Sequence, residues 1–456
     1  METETQNTDQ STVQSTFMGI EVAPGVTRVN FLFLFLISFF SQWVMVVVIL
    51  IRPAFFKEVI GIPDAKAGII NATIMTVGAV AGLIFTIVVG ALSDRFGRKV
   101  LMLIGFSSVT LLYIIYGNTK VIAHLMGLET LLPILVLLGV IVFVFAVMML
   151  FTWPQIITIS ADYTVPKSRG RIMALQGMMM GMAAILMFGV LGQLPKYIGI
   201  INMFYLGALL SLLSLLFTQI GIVEKMPERK AKRETLEDIK ELFREVNKSI
   251  ELKVGYLNIL SGRADIGIIS SFIIIWMVTL CQKYGYTPTQ ATAKGAIALA
   301  IMSIAQLSLM PVLGILVDKW GRIPTMIITL IVGGIGLCFL GFVENPFSKT
   351  LWLVIIFCGI AFAGGLSAQA IVADSAPKHL VGTALGGLNT AMILGGVLFG
   401  QVGGFLFDKV GYGMPFILKG IANIGVAVWI FSVRKRIKDL GRKGAHLTHG
   451  SETHRG

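Results

Sequence analysis

Beyond a polar opening, long apolar runs alternate with short polar turns down the whole chain. Twelve runs come close to the about 20 residues a helix needs to cross the hydrocarbon core of a bilayer. They fall at 29–51, 67–90, 100–117, 132–158, 172–194, 200–223, 255–280, 290–313, 325–343, 350–372, 381–406 and 413–433. Lipid offers the backbone no hydrogen-bond partner, so runs of this length predict helices; barrel strands would be shorter and alternate in polarity. The expected fold class is all-α and polytopic, with twelve transmembrane helices.

One interruption divides the spans six and six. Between Glu224 and Lys253 acidic and basic residues mingle, as in a solvated linker. Within it Leu236, Ile239, Leu242, Phe243 and Val246 share one helical face, and Thr235 with Asp238 forms a capping box. A short amphipathic helix lying on the membrane surface is expected, covering the ends of the bundle rather than regulating it. The organisation is thus a mobile cytoplasmic tail (1–27), a six-helix bundle (28–223), a cytoplasmic linker (224–254), a second six-helix bundle (255–434) and a basic cytoplasmic tail (435–456).

Composition changes little in this picture. With 55% hydrophobic and 13% charged residues and a mean hydropathy of +0.85, the chain is far from the about 25% charge of soluble domains. The net charge of +13 is explained by topology. Among 37 Lys and Arg, only Arg52, Lys57, Lys66, Lys120, Lys196, Lys283, Lys294, Lys349 and Lys409 fall on the side opposite the termini, with Arg263 and Lys419 inside spans. That bias puts both termini in the cytoplasm, and no nucleic-acid partner is needed. Cys281, Cys338 and Cys358 lack metal-ligand spacing, so neither a disulfide framework nor a zinc site is suggested. No Gly-x4-Gly-Lys-Ser/Thr phosphate loop occurs, and no cleaved leader, catalytic site, cofactor or metal is expected.

The turn Gly90-Ala91-Leu92-Ser93-Asp94-Arg95-Phe96-Gly97-Arg98-Lys99 links spans two and three, and a degraded copy returns at Gly314-Ile315-Leu316-Val317-Asp318-Lys319-Trp320-Gly321-Arg322. A second repeat pairs Ala161-Asp162, Pro166 and Gly170 with Ala373-Asp374, Pro377 and Gly382. Two halves in parallel repeat are a transporter architecture. The decapeptide resembles the signature of the major facilitator superfamily without a gap, and Asp162 with Arg169-Gly170-Arg171 resembles that family's turn after span four. The copy in the second half departs at Ile323, where a basic residue is usual.

The resemblance implies two pseudo-symmetric bundles rocking about a shared cavity. Gly90 and Gly97 would permit close helix approach and a tight reversal. Asp94 would accept from the amides opening span eleven, near residue 381, held by Arg98 and by Arg169 or Arg171. Such a latch would form in the outward-open state. The bland alternative is a basic turn that only sets topology.

Ionisable groups inside spans are costly. Arg263 and Asp265 in span seven are the clear pair; on a regular helix their side chains point about 200° apart. Asp265 is the carboxylate that would carry a coupling proton. Arg263 would instead favour an anionic substrate, and an inter-helix link remains the structural alternative. Gln42 and Trp43 in span one, Gln155 after Pro154 in span four, Gln306, Gln369 and Asn389 are further substrate-contact candidates, each explained as well by an interhelical hydrogen bond. Pro154 is expected to free a carbonyl and kink its helix. The methionines of span five (Met173, Met178, Met179, Met180, Met182, Met187) suit promiscuous apolar binding or plain filling. Gly396, Gly400 and Gly404 suggest a close-packing face. The proline-containing glycine pattern of proton antiporters is absent from Gly177, Gly181, Gly189 and Gly192. His446, His449 and His454 read as part of a membrane-apposed tail rather than a metal site.

The expectation is a monomeric secondary transporter of the cytoplasmic membrane that moves a small organic solute, with protons as a candidate coupling ion. Multidrug efflux is one alternative; a non-transporting solute sensor on the same fold is the other.

Overall fold

The computed structural model describes residues 16–17, 20–165, 168–224, 236–263, 265–361 and 365–437. The helices are α1 (Arg28–Phe55), α2 (Ala67–Phe96), α3 (Arg98–Gly117), α4 (Thr119–Leu125), α5 (Leu131–Leu150), α6 (Trp153–Asp162), α7 (Arg169–Gly189), α8 (Pro195–Ile198) and α9 (Ile200–Gly221). After the linker come α10 (Leu236–Lys248), α11 (Ile250–Asn258), α12 (Asp265–Gln282), α13 (Pro288–Trp320), α14 (Arg322–Gly341), α15 (Lys349–Ala361), α16 (Gly365–Ser375), α17 (Val381–Lys409) and α18 (Met414–Val433). Among the described residues, ten helices are long and apolar enough to span a membrane, and the shorter apolar helices Ile269–Gln282 and Lys349–Ile360 occupy the remaining two expected spans. The fold is the all-α one the hydropathy predicts, arranged as two six-helix bundles.

Apolar side chains cover the outside as well as the inside. Ile87, Leu132 and Ile220 are each at least 70% exposed, as a surface facing acyl chains requires. Inside the first bundle, Phe55, Tyr116 and Phe204 pack ring against ring, and Gly207 lets the Tyr113 ring approach its backbone. The second bundle closes on small residues. Gly420 meets the Gly334 carbonyl and Gly413 the Gly341 carbonyl along α14 and α18, a contact that drives helix association where lipid removes the hydrophobic incentive.

Local departures from regular helix are tied to identifiable causes. Gly97 and Gly321 both have φ 91°, so each repeat of the charged turn reverses on a conformation that L side chains resist. Span four breaks between α5 and α6, one residue before Trp153-Pro154, where the proline ring removes a helical donor. Span seven passes from α11 through a π turn, Ile259–Arg263. Lys419 of α18 donates to the Ser261 carbonyl there, and Ser261 Oγ donates to Asn423 Oδ1 at 2.7 Å. Irregular backbone at membrane depth persists where protein groups satisfy it in this way.

Part of the segment read as tail is packed. Thr16–Phe17 and Ile20–Glu21 form a small antiparallel pair, and Ile20, Val22 and Val26 are buried. Ala23 N donates to Tyr163 O at 2.9 Å and Glu21 N to Ser168 Oγ at 3.1 Å, strapping this stretch to the turn after span four. The amphipathic helix appears as α10: Leu242 is buried against the second bundle with Val246 packed beside it and Ile239 half-buried, as the expected face requires, while Phe243 is exposed. Thr235 lies outside the described residues, as do His446, His449 and His454 of the tail.

Candidate functional site

The two charged turns and the two Asp repeats meet. Arg98, opening α3, makes a largely buried ion pair with Asp162, closing α6. Arg322, opening α14, makes the corresponding but more exposed pair with Asp374 near the end of α16. The two repeated motifs are therefore joined within each half by the same link, and Arg98 pairs with Asp162 while staying within electrostatic reach of Asp94. Glu224 secures the arrangement by accepting the Lys99 amide at 2.7 Å in the first turn of α3. Tyr163 adds a second clasp: its hydroxyl donates to Val223 O at 3.0 Å and accepts from Val223 N at 2.8 Å. Burial pushes the Tyr163 phenol up to about 12, against a smaller opposing effect of the Val223 bond, so the phenol stays protonated and donating.

Asp94 itself is exposed and makes no hydrogen bond among the described residues, though it stands within electrostatic reach of Arg98, and Arg95 is exposed beside it. The N-terminus of α17, where the resemblance placed its partner, has Leu380 as N-cap and no side-chain cap. Gly90 has open space around it. Arg171 is exposed on α7; the side chains of Arg169 and Asp318 lie outside the described residues.

One residue further in, Ser93 Oγ donates to Gln155 Oε1 at 2.5 Å, and Gln155 Nε2 donates to Leu150 O at 3.4 Å. Leu150 is four residues before Pro154, so its carbonyl is the one the proline leaves free. Gln155 is thus used at both ends of its amide, tying the signature turn to the break in span four.

The opposite end of the bundles is closed. Asp408, in the last turn of α17, accepts from Gly68 N and Ile69 N, each at 2.8 Å, in the first turn of α2. A carboxylate there satisfies free amides and complements the positive helix end. Gly404 lies against Gly68, and a Cβ on it would sit 2.7 Å from the Gly68 carbonyl. Glu58 caps α13 from the first bundle, accepting from Thr289 N at 2.7 Å and from Thr289 Oγ1. Lys57 Nζ reaches Gln282 Oε1 at 2.6 Å, and Gln193 Nε2 reaches Ala293 O at 2.9 Å.

Asp408 and Glu58 are absent from the sequence-derived candidates, yet Asp408 has a signal. Gly404-Phe405-Leu406-Phe407-Asp408-Lys409-Val410-Gly411 repeats the Gly-x-Leu-x-Asp-basic-x-Gly of residues 90–97 and 314–321. It is a third copy, at the opposite end of the same helix seam. Of the proposed glycine face, Gly404 is in close contact, whereas Gly396 and Gly400 have nothing near them.

The interior candidates are dispersed. Trp43 donates to Ala183 O at 2.7 Å and packs against Phe39 and Phe40. Gln42, Gln306 and Gln369 are half-buried and Asn389 exposed; no hydrogen bond joins Gln42, Gln369 and Asn389 to one another among the described residues. The side chains of Arg263 and Asp265 lie outside the described residues, although Arg263 closes the π turn and Asp265 opens α12. Met173, Met178 and Met182 are exposed while Met187 is buried.

The family model for the Major Facilitator Superfamily matches residues 31–293 and 260–450. The magnetosome protein MamH of Paramagnetospirillum magneticum is 28% identical over 413 residues, covering 88% of this chain and 92% of that one. The magnetosome protein MamZ of the same organism is 25% identical over 387 residues, 84% of this chain and 60% of that one. A multi-drug resistance efflux pump, PmrA of Streptococcus pneumoniae, is 31% identical over 184 residues, 39% of this chain and 43% of that one. In three dimensions the chain is similar to the nucleoside transporter NupG (TM-score 0.65, 15% identity, 90% of this chain and 100% of that one). It is also similar to a D-xylose-proton symporter (TM-score 0.67, 15% identity, 91% and 98%). At those identities the likeness to solved structures is one of fold.

Proposed function

We propose that this chain, which belongs to the Major Facilitator Superfamily, is a monomeric secondary transporter that moves a small organic solute by alternating access. The observation that carries the reading is the asymmetry of the α2–α17 seam. At one end Asp408 caps α2; at the other, Asp94 of the matching octapeptide makes no hydrogen bond among the described residues, and α17 starts without a side-chain cap. A seam whose two ends carry the same latch, engaged at one end, is what a molecule needs in order to expose a cavity first to one side and then to the other. With the termini cytoplasmic, as the basic residues imply, the closed end is extracytoplasmic and the conformation is inward-facing. Docking of Asp94 on α17 belongs to the opposite state.

Coupling is assigned to protons, with Asp265 as carrier at the irregular segment of span seven. Multidrug efflux is the second reading, favoured by the likeness to PmrA over part of the chain. A sensor would not need matched latches at both ends. The test is uptake into proteoliposomes under an imposed pH gradient. Accumulation that follows the gradient in the wild type and is lost in Asp265→Asn, while exchange of unlabelled for labelled solute continues, is the expected result. Gradient-driven accumulation intact in Asp265→Asn removes that residue from the coupling role; absence of both uptake and exchange across a broad solute panel favours the sensor.

A further inference from the structure

The first bundle contains a cavity of about 280 Å³ between α1, α2, α5 and the α5–α6 break. Its walls are mostly apolar, with Met45, Met75, Met149 and Phe145 among them. One cation lines it. Arg52, read from the sequence as an ordinary loop charge, is 8% exposed, and its Nε has no hydrogen-bond partner. The guanidinium stands beside the buried hydroxyl of Tyr116, a second lining residue, which can accept from Arg52 and still keep its own O–H free to donate. No carboxylate pairs with Arg52 among the described residues.

We propose that this cavity binds a compact organic anion, its carboxylate held by Arg52 and Tyr116 and its apolar body among the methionines. Resting on the transport reading, the inference identifies the class of solute carried. A buried guanidinium without a counter-ion is a costly arrangement, and an incoming carboxylate removes the cost. Its planar donors match a carboxylate in two-point contact. The Tyr116 O–H supplies a further donor from the neighbouring wall. The volume lies just under the usual range of about 300–1,000 Å³ for ligand pockets, which restricts the body to something compact. Thioether side chains adapt to differing apolar shapes.

The experiment uses the full chain purified in detergent, with 3-phenylpropionate and hexanoate as probes and their amides as neutral controls. Thermal shift and equilibrium binding are read on the wild type, Arg52→Lys, Arg52→Met and Tyr116→Phe. A carboxylate that stabilises the wild type where its amide does not, binding roughly tenfold more weakly to Arg52→Lys and undetectably to Arg52→Met, supports the assignment. Tyr116→Phe keeps the packing and loses one donor, so weaker carboxylate binding there tests the site even should Arg52→Met fail to fold. Equal binding of acid and amide, binding unaffected by Arg52→Lys and Tyr116→Phe, or no binding of either acid to the folded wild type overturns it. Counterflow of the bound acid in proteoliposomes separates the two readings: binding without counterflow removes transport and leaves the anion site, whereas transport of neutral solutes without acid binding removes the anion site alone.

Discussion

The carboxylate of Asp408 accepts the amide of Gly68 at 2.8 Å, joining the last turn of one bundle's helix to the first turn of the other's. Ile69 supplies a second amide at the same distance. A charge-assisted pair of this kind is worth about 1.5–3 kcal/mol. Asp408→Ala is therefore expected to shift the population toward the state open at that end by roughly tenfold to a hundredfold. Gln401 bridges the seam nearby to Thr76 at 2.7 Å. Labelling of Gln401→Cys by a membrane-impermeant maleimide, with Cys281, Cys338 and Cys358 replaced by Ala, reads the change; an unaltered labelling rate rejects the latch. Gly404→Val, which meets the Gly68 backbone, is expected to act in the same direction.

Removing one partner of the Arg98–Asp162 pair leaves the other largely buried and uncompensated. Arg98→Met or Asp162→Asn alone is expected to cost about 3–5 kcal/mol of stability, and the double substitution less than the sum. Melting of the purified variants measures it. Additive losses would mean that the two side chains do not depend on each other.

Gln155→Leu deletes both of its amide contacts while preserving volume. Transport turnover is expected to fall by about tenfold or more, with half-saturation little changed, because Gln155 holds Ser93 and the span-four break rather than solute. A change confined to half-saturation returns Gln155 to the list of solute contacts.

Tyr163 offers a pH test with a definite sign. Its phenol is raised from 10.0 to about 12 in the fold, so the stability it contributes is complete below pH 10 and lost as pH climbs through 12. Wild type should melt above Tyr163→Phe at neutral pH, and the gap should narrow between pH 10 and 12. A gap constant across that window would show that the hydroxyl is not held protonated by burial.

Most of the architecture is legible in hydropathy because lipid permits few alternatives to a helix. The positive φ at Gly97 and the break at Pro154 were equally readable, since each follows from one residue's backbone chemistry. What hydropathy could not assign is which helix ends meet across the bundles. Asp408 and Arg52 looked alike, as charges flanking apolar runs. The fold turns one into an inter-bundle cap and buries the other in a cavity wall. The signature alone places Arg98 near Asp94; it does not reveal the ion pair of Arg98 with Asp162, which is remote in sequence.

Helix α10 is fastened to the second bundle, through Leu242 and the contact of Glu241 with His379, while residues 20–26 are fastened to the first. The chain thus comes with two native pointers, one on each half. A spectroscopic ruler stretched from the exposed Phe243 position to Ala23 would report any tilt that the proposed alternating access requires, with both probes at the outer margins of the bundles.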